Sequence, residues 1–352
     1  MFFNGLGVAA PPQCYTQQQS WEALQHSDIL PRLKPRSQAI LRKVLGGNNG
    51  IATRHLALDP ITDAFNLTPD ALHARFARHA PELATRAAVN ALRDGRCEPP
   101  EIDALIISTC TGYLCPGLTS YVSERLGLRP DVFALDLVGQ GCGAALPNFR
   151  AAEAILTAGR AQNVLSICVE VCSAAFYLDD DPGVLISACL FGDGAGAAVL
   201  SENPPIGRRQ VKWEAAVSSL APDQRDILRF SQKNGMLRNI LTPEVPQIAG
   251  AAAARLLNQF LADHNRKRKA ITGWILHTGG RDVLLSLRDH LQITAADIRH
   301  GTAVLSEYGN LSSPTVYFVL ERALKDIPDG WWWMCAFGAG FSCHGALLEV
   351  RT

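Results

Sequence analysis

The sequence predicts an α/β fold built from two similar βαβ-rich halves, and three observations lead there. From residue 69 onward, short apolar runs alternate with helix-patterned segments, as strands joined by crossover helices do. A set of glycine-bearing motifs occurs twice in the same order. The chain has 352 residues, 47% of them hydrophobic and only 19% charged, which suits two packed domains of ordinary size.

The first sixty residues are punctuated by Pro11, Pro12, Pro31, Pro35 and a turn cluster, Gly46-Gly47-Asn48-Asn49-Gly50. Residues 69–94 read as a helix, with Thr68 at the cap, Pro69 at the first position and Leu72, Phe76, Leu83 and Val89 apolar. Pro81 within it predicts a kink or a break into two helices. Strands follow at Ala104–Ser108, Val132–Leu137, Val164–Val169 and Gly194–Leu200, with a helix through Phe149–Ala158. Residues 202–246, rich in proline and charge, are expected to connect the halves, 1–205 and 206–352, as a surface excursion. A helix starting near Pro243 is expected to end in the basic run Arg266-Lys267-Arg268-Lys269, where cations suit the helix dipole. Trp331-Trp332-Trp333 is expected to enter a core strand.

The duplication is carried by three pairs. Asp103–Gly112 resembles Ala270–Gly279, each an apolar strand ending in Xaa-Thr-Gly. Gly141-Cys142 and Gly309-Asn310 each precede an apolar-periodic helix. Phe191-Gly-Asp-Gly and Phe337-Gly-Ala-Gly each precede an apolar strand. Two related halves arranged in this way are expected to bring the Xaa-Thr-Gly, Gly-Cys and Gly-Asn elements together where they meet.

Composition excludes several functions. Lys plus Arg and Asp plus Glu are 33 each, so no charge excess points to nucleic acid or an anionic membrane. The start, Met1-Phe-Phe-Asn-Gly-Leu-Gly, lacks the basic and sustained apolar pattern of a signal peptide. Glu170 and Asp193 interrupt the most apolar stretches, short of a membrane span. The ten cysteines include no CxxC and no paired Cys/His spacing, which predicts reduced thiols in a cytoplasmic protein and neither a disulfide framework nor a metal site. Asp179-Asp180-Asp181 before Pro182 is expected to be a solvated acidic turn. No glycine-rich segment fits a dinucleotide or phosphate loop.

Three residues remain as chemical candidates. Cys142 follows the strand Val132–Val138 inside Gly139-Gln-Gly-Cys-Gly143 and precedes a helix. Glycines on both sides permit a sharp elbow, and a helix N-terminus favours thiolate over thiol; a small buried thiol at a tight turn fits the same pattern. His277 ends the strand Trp274-Ile-Leu and enters a glycine turn, where it suits either a site or the core. Asn310 lies at what reads as a helix start, where asparagine commonly caps. Together, a thiol, an imidazole and an amide form a coherent set for acyl chemistry, with imidazole and amide both able to donate to a developing oxyanion. Papain-like proteases also have the order Cys, His, Asn, but place the cysteine near the mature N-terminus in a Cys-Gly-Ser-Cys-Trp-like context. Here it lies mid-chain behind an apolar strand.

These motifs resemble those of the type III polyketide synthases, the chalcone and stilbene synthase superfamily, with bacterial-like departures. The resemblance runs from about residue 40 to the C-terminus and rests on Gly139-Gln-Gly-Cys-Gly-Ala-Ala, Leu190-Phe-Gly-Asp-Gly-Ala, Ile275-Leu-His-Thr-Gly-Gly, Tyr308-Gly-Asn-Leu-Ser-Ser and Ala336-Phe-Gly-Ala-Gly. It implies the thiolase-like fold, with a layered α/β/α/β/α core, and a homodimer in which the segment around Leu114-Cys115-Pro116 reaches the partner's cavity. It makes Cys142 the acyl-carrying nucleophile, and His277 and Asn310 the groups that bind the malonyl thioester carbonyl and drive decarboxylation. Phe191 is implied as a gatekeeper between the CoA tunnel and the cavity, and Arg54 as a CoA contact. Cys110, Thr111 and Cys115 fall on a wall that controls cyclisation, and Glu170, Cys172 and Ala175 on a segment that faces the substrate. Gly279 and Ser312 belong to the two motifs around His277 and Asn310, Gly338 and Gly340 to the loop that shapes the cyclisation chamber. Arg238 is placed where plant members have a second gatekeeper phenylalanine. Ala336 and Ala339 stand where plant members have Gly and Pro, which removes the basis for a plant-type starter.

By this resemblance the substrates are an acyl-CoA starter and malonyl-CoA, and no cofactor is expected. A ketoacyl synthase of fatty-acid initiation has the same fold and triad, but its His-Gln-Ala-Asn context differs from His277-Thr-Gly-Gly. A catalytically silent acyl-CoA-binding relative is the remaining alternative, and the intact Cys142, His277 and Asn310 set argues against it.

Overall fold

The computed structural model describes residues 1–352. In chain order its strands are β1 (Phe2–Ala9), β2 (Cys14–Thr16), β3 (Thr53–His55), β4 (Ala104–Thr109), β5 (Phe133–Val138), β6 (Asn163–Glu170), β7 (Gly194–Ser201), β8 (Gln210–Leu220), β9 (Leu228–Lys233), β10 (Met236–Leu241), β11 (Ile271–Leu276), β12 (Gly330–Gly338) and β13 (Ser342–Arg351). The helices are α1 (Gln17–Gln25), α2 (Pro35–Gly46), α3 (Pro69–Gly95), α4 (Leu118–Leu126), α5 (Ala145–Thr157), α6 (Pro182–Leu190), α7 (Val245–Asp263), α8 (Arg281–Leu291), α9 (Arg299–Tyr308) and α10 (Thr315–Ala323).

Nine strands form one mixed sheet in the order β11-β12-β13-β8-β1-β7-β6-β4-β5. Read outward from the middle, each side repeats the other. β1 and β8 pair antiparallel with β7 and β13, which pair antiparallel with β6 and β12, which pair parallel with β4 and β11. Only β5 lacks a counterpart; in the second half α9 runs directly into Gly309-Asn310. The two sides join where Phe2 of β1 pairs with Lys212 of β8.

Strands buried on both faces need cover on both, and the helices supply it. α5 and α10 lie in the middle, where Phe149, Leu146, Tyr317 and Leu320 pack with residues from both sides of the sheet. α3 and α4 cover the outer face of the first half, α7 and α8 that of the second. This is the five-layer α/β/α/β/α arrangement, and it puts the ends of β4, β5 and β11 around one point. No helix is long and apolar enough to cross a membrane.

Several local expectations need correction. α3 passes through Pro81 without a break: its alanines Ala80, Ala84, Ala87, Ala88 and Ala91 are buried along the sheet, so packing holds the helix where one backbone bond is missing. Residues 202–246 are only partly a surface excursion. Their prolines, Pro204, Pro205, Pro222, Pro243 and Pro246, lie outside β8, while Val211 and Trp213 alternate inward and make β8 an interior strand of the sheet. The basic run lies beyond α7, which ends at Asp263 as Asn265 turns left-handed at φ 49°. Arg266 stacks 3.8 Å over the Trp331 ring, and Arg268 bonds Asn258 and the Leu291 carbonyl. The three tryptophans do enter β12, with Trp332 and Trp333 fully buried.

The β9–β10 hairpin closes over the meeting point of the halves. It approaches α6 so closely that a Cβ on Gly183 would lie 2.0 Å from the Leu241 carbonyl oxygen. Gly183→Val should therefore push the hairpin away and lower stability by about 1–3 kcal/mol. Urea unfolding of the variant beside the wild type measures this, and an unchanged midpoint would mean that the hairpin is not held at this contact.

Candidate active site

The elbow after β5 requires glycine. Gly139 and Gly141 have φ of 83° and 59°, and a Cβ on Gly141 would fall 2.9 Å from the Ala339 amide nitrogen. Cys142 sits at the centre of the short turn after it, which leads into α5. The Ser312 hydroxyl donates to its Sγ at 3.2 Å. Ser312 is itself left-handed at φ 59°, a strained conformation for serine, and its N–H donates to Asn310 Oδ1 at 2.9 Å.

Asn310 is not a helix cap, since α10 begins only at Thr315. It sits in a loop bonded across to the Phe191 segment: its N–H donates to the Leu190 carbonyl at 2.9 Å, and its carbonyl accepts from Gly192 at 3.0 Å. Its Nδ2 donates to the Gly279 carbonyl at 2.9 Å, which leaves the second amide hydrogen free. His277 immediately follows β11, and its N–H donates to the Cys335 carbonyl at 2.8 Å. Its ring lies edge-on to Phe337, centroids 4.9 Å apart, and neither ring nitrogen has a partner although the residue is only 1% exposed. The three candidates thus surround Ser312 and the Phe337–Ala339 turn.

Burial dominates their electrostatics. It pushes the Cys142 thiol up to about 12, with the Ser312 bond pulling the other way. Burial also brings His277 down to about 3. Each group is thus penalised for carrying its charge alone.

Above the elbow lies a cavity of about 580 Å³ open to solvent. Cys142 and Ser312 line it, together with Cys110, Thr111, Cys172, Ala175 and Phe191. Glu170 lies behind the wall, fully buried, and accepts from the Cys110 N–H, the Thr111 and Ser313 hydroxyls and the Cys110 thiol at 2.8–3.3 Å. It ties the ends of β4 and β6 to the Ser312 loop. Burial raises its pKa, and those bonds oppose the rise.

Gly338 supports the elbow: a Cβ there would sit 2.6 Å from the Gly143 nitrogen, and its neighbour Ala339 faces the cavity. Gly340 completes the turn at φ 112°. Cys115 is exposed and lies away from the lining.

Two expected contacts are corrected. Arg238 does not face the cavity; it bonds Asp179 at 2.8 Å and Asp181 at 3.1 Å, which also shows that the acidic turn is not merely solvated. Side chains alternate along a strand, so the next residue, Asn239, points inward together with Phe230, its partner across the hairpin. Arg54, expected at CoA, is 3% exposed and donates to the carbonyls of Ala188 and Phe191 at 2.8 and 3.1 Å. Phe176, Leu228, Phe230 and Asn239 line the cavity and are not singled out by the sequence. The apolar Leu228 and Phe230 two residues apart are the available signal, hidden because that segment reads as polar and proline-rich; Arg229 between them also lines the cavity.

Family models match nearly the whole chain: FAE1/type III polyketide synthase-like protein over residues 12–219, and the chalcone and stilbene synthase C-terminal domain over 213–350. The 1,3,6,8-tetrahydroxynaphthalene synthase of Streptomyces peucetius subsp. caesius is 30% identical over 97% of this chain and 91% of its own length. The 3,5-dihydroxyphenylacetyl-CoA synthase of Amycolatopsis balhimycina is 29% identical over 99% and 92%. The crystal structure of 1,3,6,8-tetrahydroxynaphthalene synthase from Streptomyces coelicolor A3(2) superposes with a TM-score of 0.89 at 26% identity, covering 100% of both chains. The protein is thus a condensing, acyl-transferring enzyme of the thiolase-like fold. Within that class, the chain belongs to the type III polyketide synthases.

The hairpin alternation is testable. Asn239→Phe should narrow the cavity and shift the spread of product chain lengths, while Arg238→Ala should keep the wild-type spread and lower stability by roughly 1–3 kcal/mol. Product mass spectrometry and urea unfolding separate the two; a product shift from Arg238→Ala alone would reverse the assignment.

Proposed function

We propose that this synthase carries its starter on Cys142 and extends it with malonyl units decarboxylated beside His277 and Asn310. The observation that carries this reading is the hydrogen-bonded chain from Cys142 through Ser312 to Asn310, which ends in a free amide hydrogen, together with the His277 imidazole, packed on Phe337 with both nitrogens unpartnered.

In loading, the Cys142 proton passes to His277 and the sulfur attacks the acyl-CoA carbonyl; the CoA sulfur leaves and takes the proton. Malonyl-CoA then binds with its thioester oxygen against His277 and the free Asn310 N–H. The bond to the carboxylate breaks, CO2 departs, and the electron pair is held as an enolate by those two donors. The enolate carbon attacks the Cys142 thioester, a carbon–carbon bond forms and the sulfur is released. The extended acyl-CoA reloads onto Cys142 for another round. Loss of CO2 drives the sequence, which balances without a metal, nucleotide or redox cofactor.

The starter is an aliphatic acyl-CoA and the product an alkylresorcinol or alkylpyrone. In support, Cys172 and Ala175 present little polarity to the cavity, and Val184, Phe191, Leu228 and Phe230 add apolar wall. The active form is a homodimer whose protomers, each divided near residue 205, meet at β5. That strand closes one edge of the sheet and exposes Phe133 and Val138 at 54% and 58%, with Tyr113 exposed at 69%.

Cys142→Ala should abolish starter loading, read by intact-protein mass, while circular dichroism stays unchanged. His277→Ala and Asn310→Ala should each slow release of CO2 from malonyl-CoA by about 10²–10³. Unchanged release in both would reduce the two residues to structural roles. Among acetyl-, hexanoyl-, dodecanoyl- and coumaroyl-CoA, the wild type should prefer an aliphatic starter and Ala175→Phe a shorter one. A preference for coumaroyl-CoA would remove the aliphatic assignment.

A further inference from the structure

A second cavity of about 500 Å³, open to solvent, lies beside the catalytic one and shares Phe176 and Ala188 with it. Its walls come from α1, α2 and the residues after β3. They are apolar, with Leu24, Leu41, Leu45 and Phe65 prominent among them. Two polar residues interrupt that lining, Ser20 and Arg54, and they touch each other: Arg54 Nη2 donates to Ser20 Oγ at 3.2 Å.

Arg54 is unusual for a buried arginine. It is 3% exposed, no carboxylate pairs with it, and its Nε has no partner. Its Nη1 is committed to the carbonyls of Ala188 and Phe191. The Nε–Nη2 edge, one position empty and the other held by a hydroxyl, is the edge that takes a carboxylate bidentately. Buried charges are ordinarily paired, and here no carboxylate touches the guanidinium: Asp193, which acts on it at a distance, is bonded to Ala57 and Ser173 instead. An apolar chamber with one cationic corner has the recognition pattern for an amphiphilic anion.

We infer that this second cavity is a binding site for a medium- to long-chain aliphatic carboxylate, its head group on Arg54 and Ser20 and its tail among the leucines of α1 and α2. The site is separate from Cys142 and needs no covalent step. The guanidinium that would hold the ligand also holds the Phe191 carbonyl, so the two cavities share a support.

The test is calorimetric titration of decanoate and of 1-decanol into the Cys142→Ala protein, which cannot be acylated. Decanoate should bind at least about tenfold more tightly than the alcohol, as a charge-assisted bidentate contact requires. Arg54→Met should bring the two ligands to equal affinity. Because Arg54 also braces the Phe191 segment, a second variant guards against misfolding. Ala64→Phe, on the half-buried wall of the second cavity, should weaken decanoate at least about tenfold and, with Cys142 intact, leave CO2 release from malonyl-CoA unaltered. Equal binding of acid and alcohol, no binding of decanoate, or decanoate binding untouched by Ala64→Phe would each overturn the inference. The last result would place the ligand in the catalytic cavity.

Discussion

The loop carrying Asn310 is hydrogen-bonded to both halves of the molecule at once. Its backbone exchanges bonds with Leu190 and Gly192 from the first half, and its side chain reaches Gly279 in the second. Ser312, two residues on, completes the link by bonding Cys142. Duplicated halves by themselves bring strand ends near one another, but to within several ångströms only. These bonds reduce that tolerance to hydrogen-bond precision, the level at which positioned donors affect a reaction. Ser312 adopts its left-handed conformation with the Asn310 amide oxygen bonded to its N–H, a local cost that the surrounding contacts support.

Burial then determines what the assembled groups can do. An isolated thiolate at Cys142 and an isolated imidazolium at His277 are each disfavoured by burial. Glu170 is subject to the same constraint on buried charge. It is surrounded by hydroxyl, thiol and amide donors, and it holds two strand ends beside the Ser312 loop. Arg54 is the exception, a cation that no carboxylate of the chain contacts.

The cavity above the elbow depends on a second constraint, the close approach of α6 and the β9–β10 hairpin. Arg238 bonds Asp179 and Asp181 on the outer side of that hairpin, while Asn239 and Phe230 fill the inner side. Period-two alternation thus splits adjacent residues between a structural clamp and the lining of the reaction chamber. A variant at either position has a different meaning, although the two are neighbours in sequence.

The sequence by itself determined the α/β class, the duplication and the strands around the site, and it marks Cys142, His277 and Asn310 as the candidates there. Those properties are written locally, in apolar periodicity, in glycines needed at an elbow such as Gly141, and in motifs that occur twice. Only the tertiary structure decided that Pro81 stays within one helix, that β8 is interior, that Asn239 and not Arg238 faces the cavity, and that Arg54 is buried with no carboxylate against it. Each of these depends on which distant segment packs against the residue, and packing partners far apart in the chain leave no periodic trace in the sequence around it.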